Sequence, residues 1–297
     1  MKAPSESITD EQLRKLKYPL VGSFKLDGFR CCVSLVKGGA LTSSMKPIVN
    51  EYVQSILYNS AYDGLDGELI VGTPYGDDVF HRTSGPLRRY NATPDFRFYV
   101  FDNFADKEAS YMRRWMLKSH LYTPLNRVIV LGQPMLSNAD EVIGFEESAV
   151  KNGYEGIMIR SLEATYKEGR STFNEGYIYK RKPIADAEGV ITDFIEAQRN
   201  DNEAIEDAMG LMKRSSHQDG KVGKDTLGAF VIKSDLWSDE FRLGTGIGLT
   251  EKLRQVIWDN RPSFLGSTVS FKYQRYGSID GPRQPIFKGF PARENVK

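Results

Sequence analysis

The chain is poor in metal-binding and redox side chains: its 297 residues include only 2 cysteines and 3 histidines. Cys31 and Cys32 are adjacent, a spacing that suits neither an ordinary disulfide nor a zinc site, so a reducing compartment is expected. Long apolar runs are also missing. None approaches the roughly 18 residues of a membrane span, and the polar opening MKAPSESITDEQLRKLKY has no apolar core of signal-peptide length. Charge of one sign is not in excess either. Lys and Arg total 40 against 39 for Asp and Glu, so any surface for an acidic partner must be local. No internal repeat or low-complexity segment is found. These absences exclude secreted disulfide scaffolds, zinc modules and membrane spans, and leave an intracellular, cytoplasmic protein as the expectation.

What is present is enough apolar material, 40% of residues, to fill real cores. Runs rich in Val, Ile, Phe and Tyr recur: YPLVGSFKL, RCCVSLV, GELIVG, FRFYVFDNF, RVIVLG, GIMIRS and GYIYKRK. Between them NEYVQSILYN, KEASYMRRWMLKSHLY and NADEVIGFEESAVKNG return apolar residues at three and four, the helical period. The strands are not regularly separated by helices, which predicts an α+β domain with largely antiparallel sheets. After KRKPIADAEG the texture changes. GVITDFIEA, LGAFVIKSD, EFRLGTG, STVSFKYQRYG and QPIFKGF read as strands of a small β-barrel, with one helix, LTEKLRQVIWDN, among them. Pro183 punctuates the junction, which predicts domains over 1–186 and 187–297, with a polar excursion from the barrel at about 199–226.

Five fragments carry the chemistry, in the order SFKLDGFR (23–30), DGE (66–68), FYVFD (98–102), EGIMIR (155–160) and KRK (180–182). Each has a bland reading alone: Asp-Gly pairs make turns, and a strand-borne KRK can be a solvated edge. GTGIG (244–248) lacks a following Lys-Ser or Lys-Thr and reads as a barrel turn rather than a phosphate loop. The conjunction is what counts. Lys25 is a candidate nucleophile. An amine attacks phosphorus only when neutral, and a free lysine is almost wholly protonated at pH 7, so the pattern calls for cations nearby. Lys180 and Lys182 alternate onto one face of a strand and can clamp phosphate, while Arg181 faces away.

These fragments resemble the nucleotidyltransferase motifs of the ATP-dependent DNA ligases, in the small two-domain form found in chlorella virus. KPIVN (46–50), YKEGRST (166–172), KRSSHQDGKV (213–222), LGTG (243–246) and PRQPIFKGF (282–290) look like their counterparts there, so the likeness runs through nearly the whole chain. Two positions depart: Ser43 stands where the family carries an arginine before KPI, and Pro291 stands where an arginine is expected just after the last strand, with Arg293 following. The resemblance implies a nucleotidyltransferase (adenylation) domain followed by a C-terminal OB-fold. It further implies that Lys25 takes AMP from ATP, that AMP passes to the 5′-phosphate of a nick, and that the 3′-hydroxyl then displaces it. In that scheme Glu155, with Glu68, holds a divalent cation (Mg²⁺ or Mn²⁺), or Glu68 binds the ribose. Phe101 stacks on adenine, Arg30 reaches ribose or phosphate, Lys180 and Lys182 clamp phosphate, and Arg283 orients pyrophosphate. Asp27 belongs to the signature without a sharper task. Arg170 approaches the nick phosphate, and the excursion, a latch-like hairpin, carries Lys213, Arg214 and Lys221 toward DNA.

The implied partner is nicked duplex DNA, met by a self-sufficient monomer without a protein partner, in replication, repair or recombination. The rivals are an RNA ligase or a capping guanylyltransferase with the same lysine chemistry, and an inactive DNA-binding relic.

Overall fold

The computed structural model describes residues 1–118, 127–206, 212–246 and 248–291. They fall into two units, Met1–Pro183 and Ile184–Lys297. The first contains α1 (Asp10–Leu13), β1 (Leu20–Phe24), β2 (Phe29–Ser34), β3 (Gly39–Leu41), α2 (Glu51–Leu57), β4 (Leu65–Val71) and α3 (Val79–Leu87). It continues with β5 (Phe96–Asn103), α4 (Tyr111–Lys118), β6 (Val128–Val130), β7 (Met135–Leu136), α5 (Ala139–Lys151), β8 (Ile157–Ser161) and β9 (Ile178–Arg181).

Two sheets organise this unit. One has the order β3-β2-β4-β5-β6, the other β7-β1-β8-β9, and only the β5–β6 pair is parallel. Strand alternation gives each sheet one apolar face. Cys31, Val33, Leu65, Leu69, Phe96, Phe98 and Val100 pack with α2 on the outer side of the first sheet. Leu20, Ile157, Ile159 and Tyr179 pack with α5 on the outer side of the second. The other faces carry the polar residues, and between them lies a cleft. Helix α3 is absent from the sequence expectations, because Gly85 and Pro86 break its pattern. It forms on the buried stripe Val79, Thr83 and Leu87, with the Thr83 hydroxyl accepting from the Val71 amide at 3.1 Å.

The second unit contains β10 (Ile184–Asn200), β11 (Ala204–Glu206), β12 (Met212–Arg214), β13 (Lys221–Lys233), β14 (Phe241–Gly244), α6 (Glu251–Asp259), α7 (Arg261–Phe264), β15 (Thr268–Gln274) and β16 (Arg283–Gly289). Strands β10, β13, β14, β16 and β15 close into a barrel around Phe230, Phe271, Leu243 and Ile257, the five-stranded closed form of an OB-fold. The polar excursion is narrower than its composition suggests. Gln198, Arg199 and Asn200 still pair with Gly223, Val222 and Lys221, because a ladder needs only backbone groups. Beyond that ribbon β11 and β12 form a small antiparallel hairpin. Among the described residues no helix is long and apolar enough to cross a membrane.

Candidate active site

Lys25 follows β1 directly, and its amide donates to the Gly156 carbonyl at 2.8 Å, which ties it to the start of β8. Gly156 has φ 149, and a Cβ there would lie 2.2 Å from the Arg181 carbonyl oxygen, so only glycine lets these strands approach so closely. Gly28 does the same on the other side, where a Cβ would stand 2.3 Å from the Leu69 carbonyl. The result is a tight junction. The Lys25 ammonium donates to Glu155, whose carboxylate is buried, and Lys182 Nζ lies 3.5 Å from the other Glu155 oxygen.

Lys180 shares this end of the cleft. Burial, with Lys182, Lys25 and Arg170 adding repulsion, pushes its amine down to about 8. Arg181 points the opposite way, donating to Glu146 at 2.8 Å and to Asp10 at 2.7 Å. Three lysines and one carboxylate thus meet at one end of the cleft, an arrangement that suits several phosphate oxygens.

The facing wall is built from β2, β4 and β5. Arg30 pairs in register with Glu68, and Glu68 with Tyr99. Glu68 is partly exposed at the cleft, yet burial dominates its titration; Asp27 and Asp66 add to it against Arg30 and Lys25, and the carboxyl rises to about 8. A carboxyl held neutral at pH 7 can donate as well as accept a hydrogen bond. Arg30 is engaged: its guanidinium forks onto Asp66 and donates to the Met1 carbonyl at 3.1 Å. Burial opposes ionisation of Asp66, but Arg30 and the Met1 ammonium outweigh it and hold the carboxyl at about 2. Arg30 is therefore held in this wall as a cation by Asp66.

Phe101 shares a strand face with Tyr99, both packing with Ile70 and Val79, while Phe98 and Val100 face the outer core. A register shift lies beside it, Asp66 pairing with Asp102 but Gly67 with Val100. The Phe101 ring lies under two guanidinium groups, Arg30 at 4.7 Å and Arg160 at 5.1 Å. Arg160 comes from the opposite sheet and donates to Asp102 at 2.7 Å, where Arg114 also donates at 2.9 Å. Sequence reasoning missed this buried hub and the Tyr166 hydroxyl that donates to Asp66 at 2.8 Å. Only long-range pairing reveals them.

Of the DNA-directed candidates, Arg170 is exposed and donates to the Ala3 carbonyl at 2.6 Å. Arg214 is exposed on β12 and donates to the Asn202 carbonyl, and Lys221 begins β13. The side chain of Lys213 lies outside the described residues. Arg283 opens β16 in the second unit, in register with Gln274.

Lys25 thus stands with its ammonium on a buried carboxylate and two further lysines beside it. Over residues 1–182 the chain matches the ATP dependent DNA ligase domain. It belongs to that family. A DNA ligase of African swine fever virus is 24% identical over 162 residues, which are 51% of this chain and 36% of that protein. The chain thus spans about a third of that relative's length. The chlorella virus DNA ligase-adenylate structure aligns over 97% of both chains with a TM-score of 0.53 and 24% identity. A Lig E DNA ligase structure aligns over 91% of this chain and 92% of that one, with a TM-score of 0.66 and 23% identity. These likenesses establish the shared fold of adenylation domain and barrel.

Proposed function

We propose that this protein is an ATP-dependent DNA ligase that seals nicks in duplex DNA through a lysyl-AMP intermediate on Lys25. The observation that carries the reading is the convergence of Lys25, Glu155, Lys180 and Lys182 at one end of the cleft. In the first step the neutral Lys25 amine attacks the α-phosphorus of ATP, a phosphorus–nitrogen bond forms, and the bond to pyrophosphate breaks. Glu155, already the acceptor for the Lys25 ammonium, orients the amine and takes its proton. Lys180 and Lys182 hold the phosphate oxygens, and the Lys180 amine, shared between charged and neutral near pH 8, gains its proton as the anion arrives. Phe101, with two guanidiniums over its ring, offers that ring to the base, and Glu68 meets the ribose.

The family uses ATP and usually a divalent metal. Among the described residues no group of three or more His, Cys, Asp and Glu could hold an ion unaided. That donor set fits magnesium, which usually takes one or two carboxylates and completes its shell with substrate phosphates and water. Glu155 is the residue that would hold it, with Glu68 as its second ligand only where that carboxyl does not serve the ribose. When bound, such an ion supplies charge neutralisation at the phosphate oxygens.

In the later steps AMP passes from Lys25 to the 5′-phosphate of the nick, and the 3′-hydroxyl displaces AMP to form the phosphodiester. Arg170 and the basic hairpin are the proposed DNA contacts. Residues 211–224 contain Lys213, Arg214, Lys221 and Lys224 against Asp219 alone, a local excess that makes binding salt-sensitive. The test is sealing of nicked duplexes whose flanking strands are DNA or RNA, with ATP or GTP supplied. Sealing of the all-DNA nick with ATP is expected. Preference for RNA strands points to the RNA ligase rival, and dependence on GTP contradicts the reading.

A further inference from the structure

The three lysines of the cleft are not equivalent. Lys25 and Lys182 share Glu155, one on each carboxylate oxygen, and their side chains are only 23% and 12% exposed. Each must break an ion pair before its nitrogen can attack anything. Lys180 is partly exposed, and among the described residues its amine has neither a hydrogen bond nor an ion pair.

The place of Lys180 is set by its strand. Its carbonyl accepts from the Ile8 amide at 3.1 Å, and in the β8–β9 ladder it stands opposite Met158. Arg181 points to Glu146 and Asp10, so alternation turns Lys180 into the cleft. Burial, with the charges of Lys182, Lys25 and Arg170 beside it, holds the Lys180 amine at about 8. An accessible amine without a carboxylate of its own, set among cations, joins a nucleophile to a seat for an anion.

That combination selects among electrophiles. A neutral thioester brings no charge for the surrounding cations to hold. An acyl phosphate, the mixed anhydride of a carboxylic and a phosphoric acid, arrives as an anion and leaves as one. Its carbonyl carbon is one oxygen away from phosphorus, so seating the phosphoryl group on the cations brings the carbonyl to the one amine that no carboxylate occupies.

We propose that Lys180 is an acylation site for acyl phosphates, with Lys182 and Arg170 holding the phosphoryl group while the Lys180 nitrogen attacks the carbonyl carbon. A carbon–nitrogen bond forms, and the carbon–oxygen bond to phosphate breaks. Inorganic phosphate leaves with the electron pair, and the nitrogen gives one proton to water. The product is an uncharged amide where the reading above places a phosphate-holding cation, so acylation slows the transfer of AMP to Lys25. That regulatory consequence rests on the DNA ligase reading; the acylation does not.

The test incubates the full chain at about pH 7.5 with acetyl phosphate, and in parallel with a small neutral acetyl thioester, and follows each lysine by peptide mass spectrometry. An amine near 8 is uncharged on the order of a hundredfold more often at that pH than an ordinary lysine near 10.4, and its lower basicity returns part of the gain. Acetyl phosphate should therefore label Lys180 at least about tenfold faster than the exposed Lys17 and Lys151. Inorganic pyrophosphate should slow Lys180 alone, and the thioester should show a several-fold smaller preference. Even labelling across lysines, faster labelling of Lys25 or Lys182, or a preference that neither pyrophosphate nor the thioester alters overturns the proposal. Transfer of label from α-labelled ATP to Lys25 should then fall in proportion to the acetylated fraction, while Lys180→Arg keeps its own rate through the same treatment. Undiminished transfer on fully acetylated Lys180 overturns the regulatory consequence. No transfer in the untreated protein overturns the ligase reading and leaves the labelling of Lys180 to be judged by itself.

Discussion

Replacing Glu68 with glutamine removes one ionisable group from the cleft without changing its shape, and the consequence depends on pH. An ordinary glutamate titrates near 4.5, whereas the folded protein holds Glu68 at about 8, chiefly by burial. Below pH 4.5 the carboxyl is protonated whether the chain is folded or not, and its contribution to stability is fully present. Between 4.5 and 8 the unfolded chain releases the proton while the folded chain keeps it, so stability falls as pH rises, and the loss is complete above 8. At about 1.4 kcal/mol for each pH unit the whole loss is on the order of 5 kcal/mol. Glu68→Gln escapes it. Thermal unfolding of both proteins from pH 4.5 to 9 should give curves that nearly coincide at the acid end. At the alkaline end the variant should melt on the order of 10 °C higher, since one kcal/mol moves a domain of this size by about 2 to 4 °C. A melting difference that stays constant across the range would mean that Glu68 is ionised in the folded cleft, and the electrostatic description of that wall would be wrong.

Asp102 is fully buried between Arg114 and Arg160, so Asp102→Ala strands two guanidiniums; a loss of about 3 to 5 kcal/mol is expected in thermal unfolding. Asp102→Asn, which keeps an acceptor, should lose less, and equal effects would contradict the charge argument. Lys180, held at about 8 by burial and its cationic neighbours, carries its charge below that pH and loses it above, so ATP affinity should weaken by roughly tenfold between pH 7 and 9. Lys180→Arg stays charged and should show no such decline; the same decline in both assigns it elsewhere.

The lysine-rich end of the cleft was legible in the sequence, because its signals are local. KRK on a strand must alternate, and the structure turns Lys180 and Lys182 to the cleft and Arg181 to Glu146. The barrel, too, could be read from short apolar runs and turns. What could not be read depends on partners far apart in the chain. Arg30 gains Asp66, 36 residues later, as the partner of its guanidinium, and no local pattern announces that pairing. Asp102 gains Arg160 across 58 residues, and no periodicity announces that. Alternation with Tyr99 places Phe101 on the cleft face, but no local pattern announces the two guanidiniums over its ring. Helix α3 hid behind Gly85 and Pro86, since tertiary packing of Val79 and Leu87 overrode a poor local propensity.

The most direct test is covalent. The purified protein and Lys25→Ala are incubated with magnesium and α-labelled ATP, separated under denaturing conditions, and then the labelled protein is given nicked duplex DNA. The account predicts label bound to the wild type through an acid-labile phosphorus–nitrogen bond, none on the variant, and transfer of that label to the 5′-phosphate before sealing. Label that persists on Lys25→Ala, or a wild type that seals nicks without ever carrying AMP, would contradict it.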